Sequence, residues 1–106
     1  MKPKISLALA ILLPTIIVFH AFAQEGNVSD GLAVAQQTCS TCHATRKGQP
    51  SPNASAPTFE AIANVPGMTA IALQASLQTS HRSMPNLILS ADERRNVVAY
   101  ILSLKP

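Results

Sequence analysis

The 106-residue sequence predicts a small all-α domain. Three observations carry that expectation. Residues 29–37 read as a helix, with Leu32, Val34 and Ala35 supplying apolar bulk. No β-rich run lies between residue 24 and the cysteine pair that follows. Near the C-terminus, Ser90-Ala91-Asp92-Glu93 has the form of a capping box, and Val97, Val98, Ile101 and Leu104 recur behind it at helical spacing.

The first stretch of chain stands apart from this domain. Lys2 and Lys4 make a basic start, residues 5–19 are apolar, and Ala21-Phe22-Ala23 is the small-x-small pattern a signal peptidase accepts. That is the three-part layout of a cleavable export signal. A retained anchor wants roughly 20 apolar residues, and Pro14, His20 and the early cleavage pattern argue against one. The expectation is a signal peptide over residues 1–23, a processed domain over residues 24–106, a periplasmic location and no stable membrane insertion after cleavage. The formal charge of +3 includes Lys2 and Lys4; without them six basic residues face five acidic ones, leaving +1. Such a balance offers no basic stripe, so no nucleic-acid partner is expected.

Residues 24–106 number 83 and contain only Phe59 and Tyr100 as aromatics, with no Trp. A core that small is marginal, and chains near this size usually need a disulfide, a metal or another staple. The two cysteines lie three positions apart, too close for a disulfide between them to brace the fold through loop entropy. Something else has to fill the core.

The filler is announced by Cys39-Ser40-Thr41-Cys42-His43, the C-x-x-C-H signature of haem c attachment. Two thiols one helical turn apart can each add across a vinyl group of the same porphyrin, giving two thioethers. The following imidazole then lies under the ring, where it can ligate iron. Three rivals share the letters. A thioredoxin-like pair would follow a strand, a zinc site would want four N/S ligands, and idle or strained cysteines would have no role. The exported, otherwise cysteine-free chain favours haem.

With these residues the chain resembles a class I c-type cytochrome of the small bacterial kind, over residues 31–104. The resemblance implies a cytochrome c-like fold in which N- and C-terminal helices cross and short helices and loops wrap one covalently bound haem. Gly31 and Ala35, eight and four residues before Cys39, would form the face of the first helix that the last helix meets, with Tyr100 as its aromatic. Residues 44–56, rich in Ser, Pro and Asn, read as an irregular loop. Beyond it, the resemblance gives the Pro57 carbonyl the free N–H of His43, fixing the imidazole and raising its basicity. Pro57 also suits the N1 position of a short helix through residues 59–63. A further helix over residues 69–77 offers Ile71, Leu73 and Leu77 as wall material.

Class I proteins place a methionine in the loop before the last helix, and Met84-Pro85-Asn86 is similar to that slot. Pro85, with fixed φ and no N–H, would stiffen the loop. Met68 reads as a packing residue. His81, three residues from Met84, is the competing ligand, and an open sixth position is the third possibility. Asn86 serves either a turn or a hydrogen bond near the sulfur. Arg94 and Arg95 are expected on the wet face of the last helix.

The expected protein is therefore a soluble one-electron carrier with one haem c, metal ligands His43 and Met84, and cofactor-binding residues Cys39, Cys42, His43, Pro57 and Met84. It is not expected to be an enzyme, because both axial positions are filled. Two alternatives stay open: a haem-c electron-accepting subunit of a larger redox enzyme, and a haem sensor or enzyme with an open sixth position. Partners are expected to be redox proteins meeting a monomer. Arg46, Lys47 and Arg82 are the charges nearest the site in sequence. Haem propionates would bring a +1 chain close to neutrality, so electrostatic steering should be weak.

Overall fold

Four helices follow one another in a computed structural model that describes residues 25–106 together with Met1 and Pro3. They are α1 (Val28–Val34), α2 (Phe59–Ala63), α3 (Ala70–Gln78) and α4 (Ala91–Ser103). Among the described residues there is no strand, and the domain is all-α; an isolated bridge pairs His81 with Met84. Apart from Met1 and Pro3, the expected export signal over residues 1–23 lies outside the described residues.

Asn27 starts α1: its side chain accepts the Asp30 N–H at 3.0 Å, satisfying one of the donors every helix start leaves free. Its own N–H donates to Asn96 Oδ1 at 2.8 Å, tying the start of the domain to α4. Past Val34 the helix continues into a π-helical turn, Ala35–Cys39, so it reaches two residues further than its apolar pattern suggests. The wider turn shifts the register just before the cysteines, a change common beside functional groups.

Helix α1 lies directly against α4, and Gly31 is where the backbones come closest. A Cβ there would overlap the Asn96 carbonyl and crowd Tyr100, so a side chain of any size is excluded. Ala35, one turn on, is wholly buried. On α4 the capping box forms as expected, with Glu93 N–H donating to Ser90 Oγ at 3.1 Å and Ser90 N–H to Glu93 Oε2 at 2.8 Å. The hydrogen bonds from the Ser90 backbone and then its side chain hold the Glu93 carboxyl below its ordinary pKa. Val97, Val98, Tyr100, Ile101 and Leu104 are buried behind it; each large aliphatic chain so removed from water contributes roughly 1.5–3 kcal/mol.

Three expectations need correction. Pro57 is not the first residue of α2: Thr58 caps that helix, its hydroxyl accepting the Ala61 N–H at 3.0 Å, and Pro57 stands outside. Thr69 caps α3 likewise, and Leu73 is buried with Leu77 packed beside it, but Ile71 is 82% exposed. Residues 73 and 77 share a helical face, whereas residue 71 falls about 200° round from 73 at 3.6 residues per turn. Arg94 is not a solvated charge either: it is half-buried, its Nη1 donates to the Leu89 carbonyl at 3.2 Å, and its enclosed Nε has no partner. The guanidinium serves a carbonyl in the irregular chain before α4. Arg95 is half-buried too and pairs with the exposed Asp92.

Candidate functional site

A cavity of about 510 Å³ opens between the cysteine turn, α2, α3 and α4. Cofactor sites typically occupy roughly 300–1,000 Å³ and are mostly apolar. Cys39, Cys42, His43, Pro57 and Met84 all line it, and so does His81. Phe59, Leu73, Val97 and Ile101 supply apolar wall from three different helices.

The cysteine turn is wound by its own backbone. Cys42 N–H and His43 N–H both donate to the Cys39 carbonyl, at 3.2 and 2.9 Å, so the motif is one tight turn on the end of α1. Both thiols are free. Cys39 is buried, and that burial pushes its thiol up to about 11 by penalising the charged thiolate. Cys42 is half-buried.

His43 Nδ1 lies 2.6 Å from the Pro57 carbonyl oxygen. A carbonyl can only accept, so Nδ1 carries hydrogen and Nε2 is the nitrogen not used by this bond. The ring also leans on Phe59, centroids 5.5 Å apart at 49°. The chain on either side is stitched down: Phe59 N–H donates to the Ala44 carbonyl at 2.9 Å, and Asn53 N–H to the Cys42 carbonyl at 3.1 Å. Ala44 N–H reaches Ser51 Oγ at 3.0 Å. From α4 the buried Tyr100 hydroxyl donates to the Thr45 carbonyl at 2.5 Å. The sequence reading missed this link, although a buried phenol in place of Phe is a signal that a partner exists.

Met84 ends a four-residue turn, its N–H donating to the His81 carbonyl at 3.3 Å. Ser83 within it has φ 65, a left-handed conformation uncommon outside glycine. His81 is exposed, and its Nε2 lies 2.6 Å from the Ser76 carbonyl oxygen in α3. Asn86 Oδ1 accepts from Ser80 Oγ at 3.1 Å, a role in the loop. Met68 packs against the core and also lines the cavity. Arg82 stands on the lining, while Arg46 and Lys47 are exposed away from it.

A helical domain whose C-x-x-C-H turn, imidazole and thioether line one apolar cavity has the build of a small c-type cytochrome. Comparison with known proteins agrees. The family model described as "Cytochrome C oxidase, cbb3-type, subunit III" matches residues 26–101, and the chain belongs to that family. Cytochrome c-552 of Bradyrhizobium diazoefficiens is 32% identical to it over 84 residues, covering 79% of this chain and 81% of the relative. No solved structure gives a significant match.

Membership implies haem c and electron transfer. The donor set fits that group on chemical grounds. Two free thiols stand on one turn beside an apolar hollow, and the neighbouring imidazole has its second nitrogen already committed to a carbonyl.

Proposed function

We propose that the chain is a soluble one-electron carrier that holds a single haem c, with Cys39 and Cys42 as thioether anchors and His43 and Met84 as axial ligands. The observation that carries this reading is the convergence of those four side chains on one cavity, with His43 oriented by Pro57. In the same reading α1 and α4 are the crossing helices of a cytochrome c-like fold. The short helices and loops wrap the haem, which serves as the missing core. Residues 1–23 are an export signal removed to leave a periplasmic monomer. Among the described residues no helix is long and apolar enough to cross a membrane.

Each residue has a defined task. Each thiol would add its S–H across a vinyl double bond of the haem, the sulfur to one carbon and the hydrogen to the other, without need of an oxidant. His43 offers Nε2, and the Pro57 carbonyl holds the ring and raises its basicity. Met84 offers a neutral thioether, which favours ferrous iron and raises the potential relative to a second nitrogen. When bound, the haem supplies a ferric/ferrous couple. The walls from Phe59, Leu73, Val97 and Ile101 keep water from it, and burial is one of the levers that tune such a couple. Docking to redox partners is proposed to occur near the cavity mouth, where, among the described residues, Arg82 is the one permanently charged side chain on the lining, so steering by charge is weak.

One observation favours a second reading. The matching family is described as an oxidase subunit, which suits an electron-accepting subunit of a larger complex. The chemistry at the iron would be the same and the partner permanent.

The deciding measurement is the visible spectrum of the matured protein, ferric and then dithionite-reduced, for wild type and Met84→Ala. We expect low-spin bands in both states of the wild type, with the weak far-red ferric band of iron–sulfur(methionine) bonding. Met84→Ala should lose that band, bind carbon monoxide when ferrous and show a lower potential. An unchanged spectrum and potential in the variant refutes the ligand assignment. Stable co-purification with a larger enzyme would move the protein from carrier to subunit.

A further inference from the structure

We infer that His81 is a positioning residue for Met84: its imidazole fastens the Met84 turn to the C-terminal end of α3 through Nε2, the nitrogen that bond withdraws from ligand duty. The inference rests on the reading of Met84 as the sixth ligand.

The end of any helix leaves carbonyls without partners. Helix α3 has no basic residue in its last turn to serve them. The Ser76 carbonyl receives only long bonds from Thr79, at 3.4 Å from the backbone N–H and 3.3 Å from the hydroxyl. His81 Nε2 approaches it at 2.6 Å. Because a carbonyl cannot donate, Nε2 carries hydrogen and its lone pair is spent.

The backbone of the same residue works in the opposite direction. Its carbonyl accepts the Met84 N–H and closes the turn from residue 81 to residue 84. Ser83 inside that turn sits at φ 65, a conformation that persists only where the surroundings hold it. Among the described hydrogen bonds, the one from His81 to Ser76 is the one that joins residues 81–84 to a helix. The tie of Ser80 to Asn86 runs within the loop, and that of Arg94 to Leu89 holds its far end. Side chain and backbone of His81 thus couple a helix end to the position of Met84. The residue that competes with Met84 on paper supports it in the fold.

A loop with one tether fewer opens more often, and a small ligand enters only when the native sulfur has left. The test is the rate at which added imidazole replaces the sixth ligand of the ferric holoprotein, in wild type, His81→Ala, His81→Gln and Met84→Ala. Exchange of the Met84 amide hydrogen is followed in the first three. His81→Ala should keep the far-red band and take up imidazole roughly five- to tenfold faster, the range one hydrogen bond supports. Its Met84 amide should exchange faster as well. His81→Gln, whose amide can donate to the Ser76 carbonyl, should restore most of the wild-type rate. Equal rates in wild type and His81→Ala, with Met84→Ala lacking the far-red band, would overturn the tether and leave Met84 as ligand. Equal acceleration in His81→Ala and His81→Gln would overturn it too, since the hydrogen bond would not be the cause. Loss of the low-spin spectrum in His81→Ala, with Met84→Ala unchanged, would overturn both readings together.

Discussion

Around Cys39 and His43 the chain is held by the α1/α4 pair, a stitched loop and a buried phenol, whereas residues 79–89 around Met84 have no helix and rely on scattered side-chain bonds. The first region is built from packing and from backbone groups paired with each other. The second is a strap, mostly exposed, with Ser83 in a left-handed conformation. The contrast separates two ways of holding a ligand. His43 is oriented by protein whether or not a metal is bound. Under the proposed ligation, Met84 gains its final restraint from the iron–sulfur bond itself, and its loop can open without unfolding the domain.

That contrast can be broken most directly at the helix seam. Gly31→Val would drive a side chain into the Asn96 carbonyl. We expect a loss of about 3 kcal/mol, the upper end for overpacked sites, read as a lower denaturant midpoint of the holoprotein. No single alanine substitution in residues 79–89 should match it. A Gly31→Val midpoint equal to wild type would mean that the close approach of α1 and α4 does not carry the fold.

Tyr100→Phe sharpens the same comparison at smaller scale. It deletes the hydroxyl that reaches the Thr45 carbonyl across the sequence from α4 to the attachment loop. A buried carbonyl left unpaired costs about 1–3 kcal/mol. The loss should appear in thermal unfolding while the far-red band is unaffected, because the bond lies on the His43 side. A variant that changed the band but not the melting temperature would contradict the division into two regions.

The smallest effect belongs to Glu93, at the point where the strap becomes α4. Its carboxyl is held below the ordinary value, about 4.3 for glutamate, by bonds to Ser90. The unfolded chain therefore binds this proton more readily than the folded one. The contribution is present above the unfolded pKa and is lost as pH falls through the lower folded value. Glu93→Gln should flatten the acid side of the stability profile below about pH 4.3. An identical acid slope in wild type and variant would show that the capping carboxylate does not contribute.

Much of this organisation was legible in the sequence because it is local. Ser90 and Glu93 sit three apart in the chain and meet in the helix; the cysteine turn is contiguous; Met84 is marked by its proline. The residues proposed for the site all line one cavity. What escaped is what depends on direction or distance. Ile71 and Leu77 look alike as apolar letters, and helical phase alone exposes one and packs the other. Arg94 looks like a surface charge until the Leu89 carbonyl needs a donor. The partners of Tyr100 and His81 are backbone carbonyls, which no side-chain pattern announces. Pro57 has two plausible jobs, and only the position of Thr58 removes it from the helix.

The burial of Cys39 bears on the order of assembly. In the folded chain burial pushes that thiol up to about 11, while Cys42 is only half-buried. The thiolate is the reactive form, and burial withholds it. If Cys39 is a thioether anchor, as proposed, its reaction would be favoured in a chain that is still open, before α1 closes on α4. Under the proposed attachment, once the helices had met, the sulfur–carbon bond at Cys39 would lie inside the folded wall.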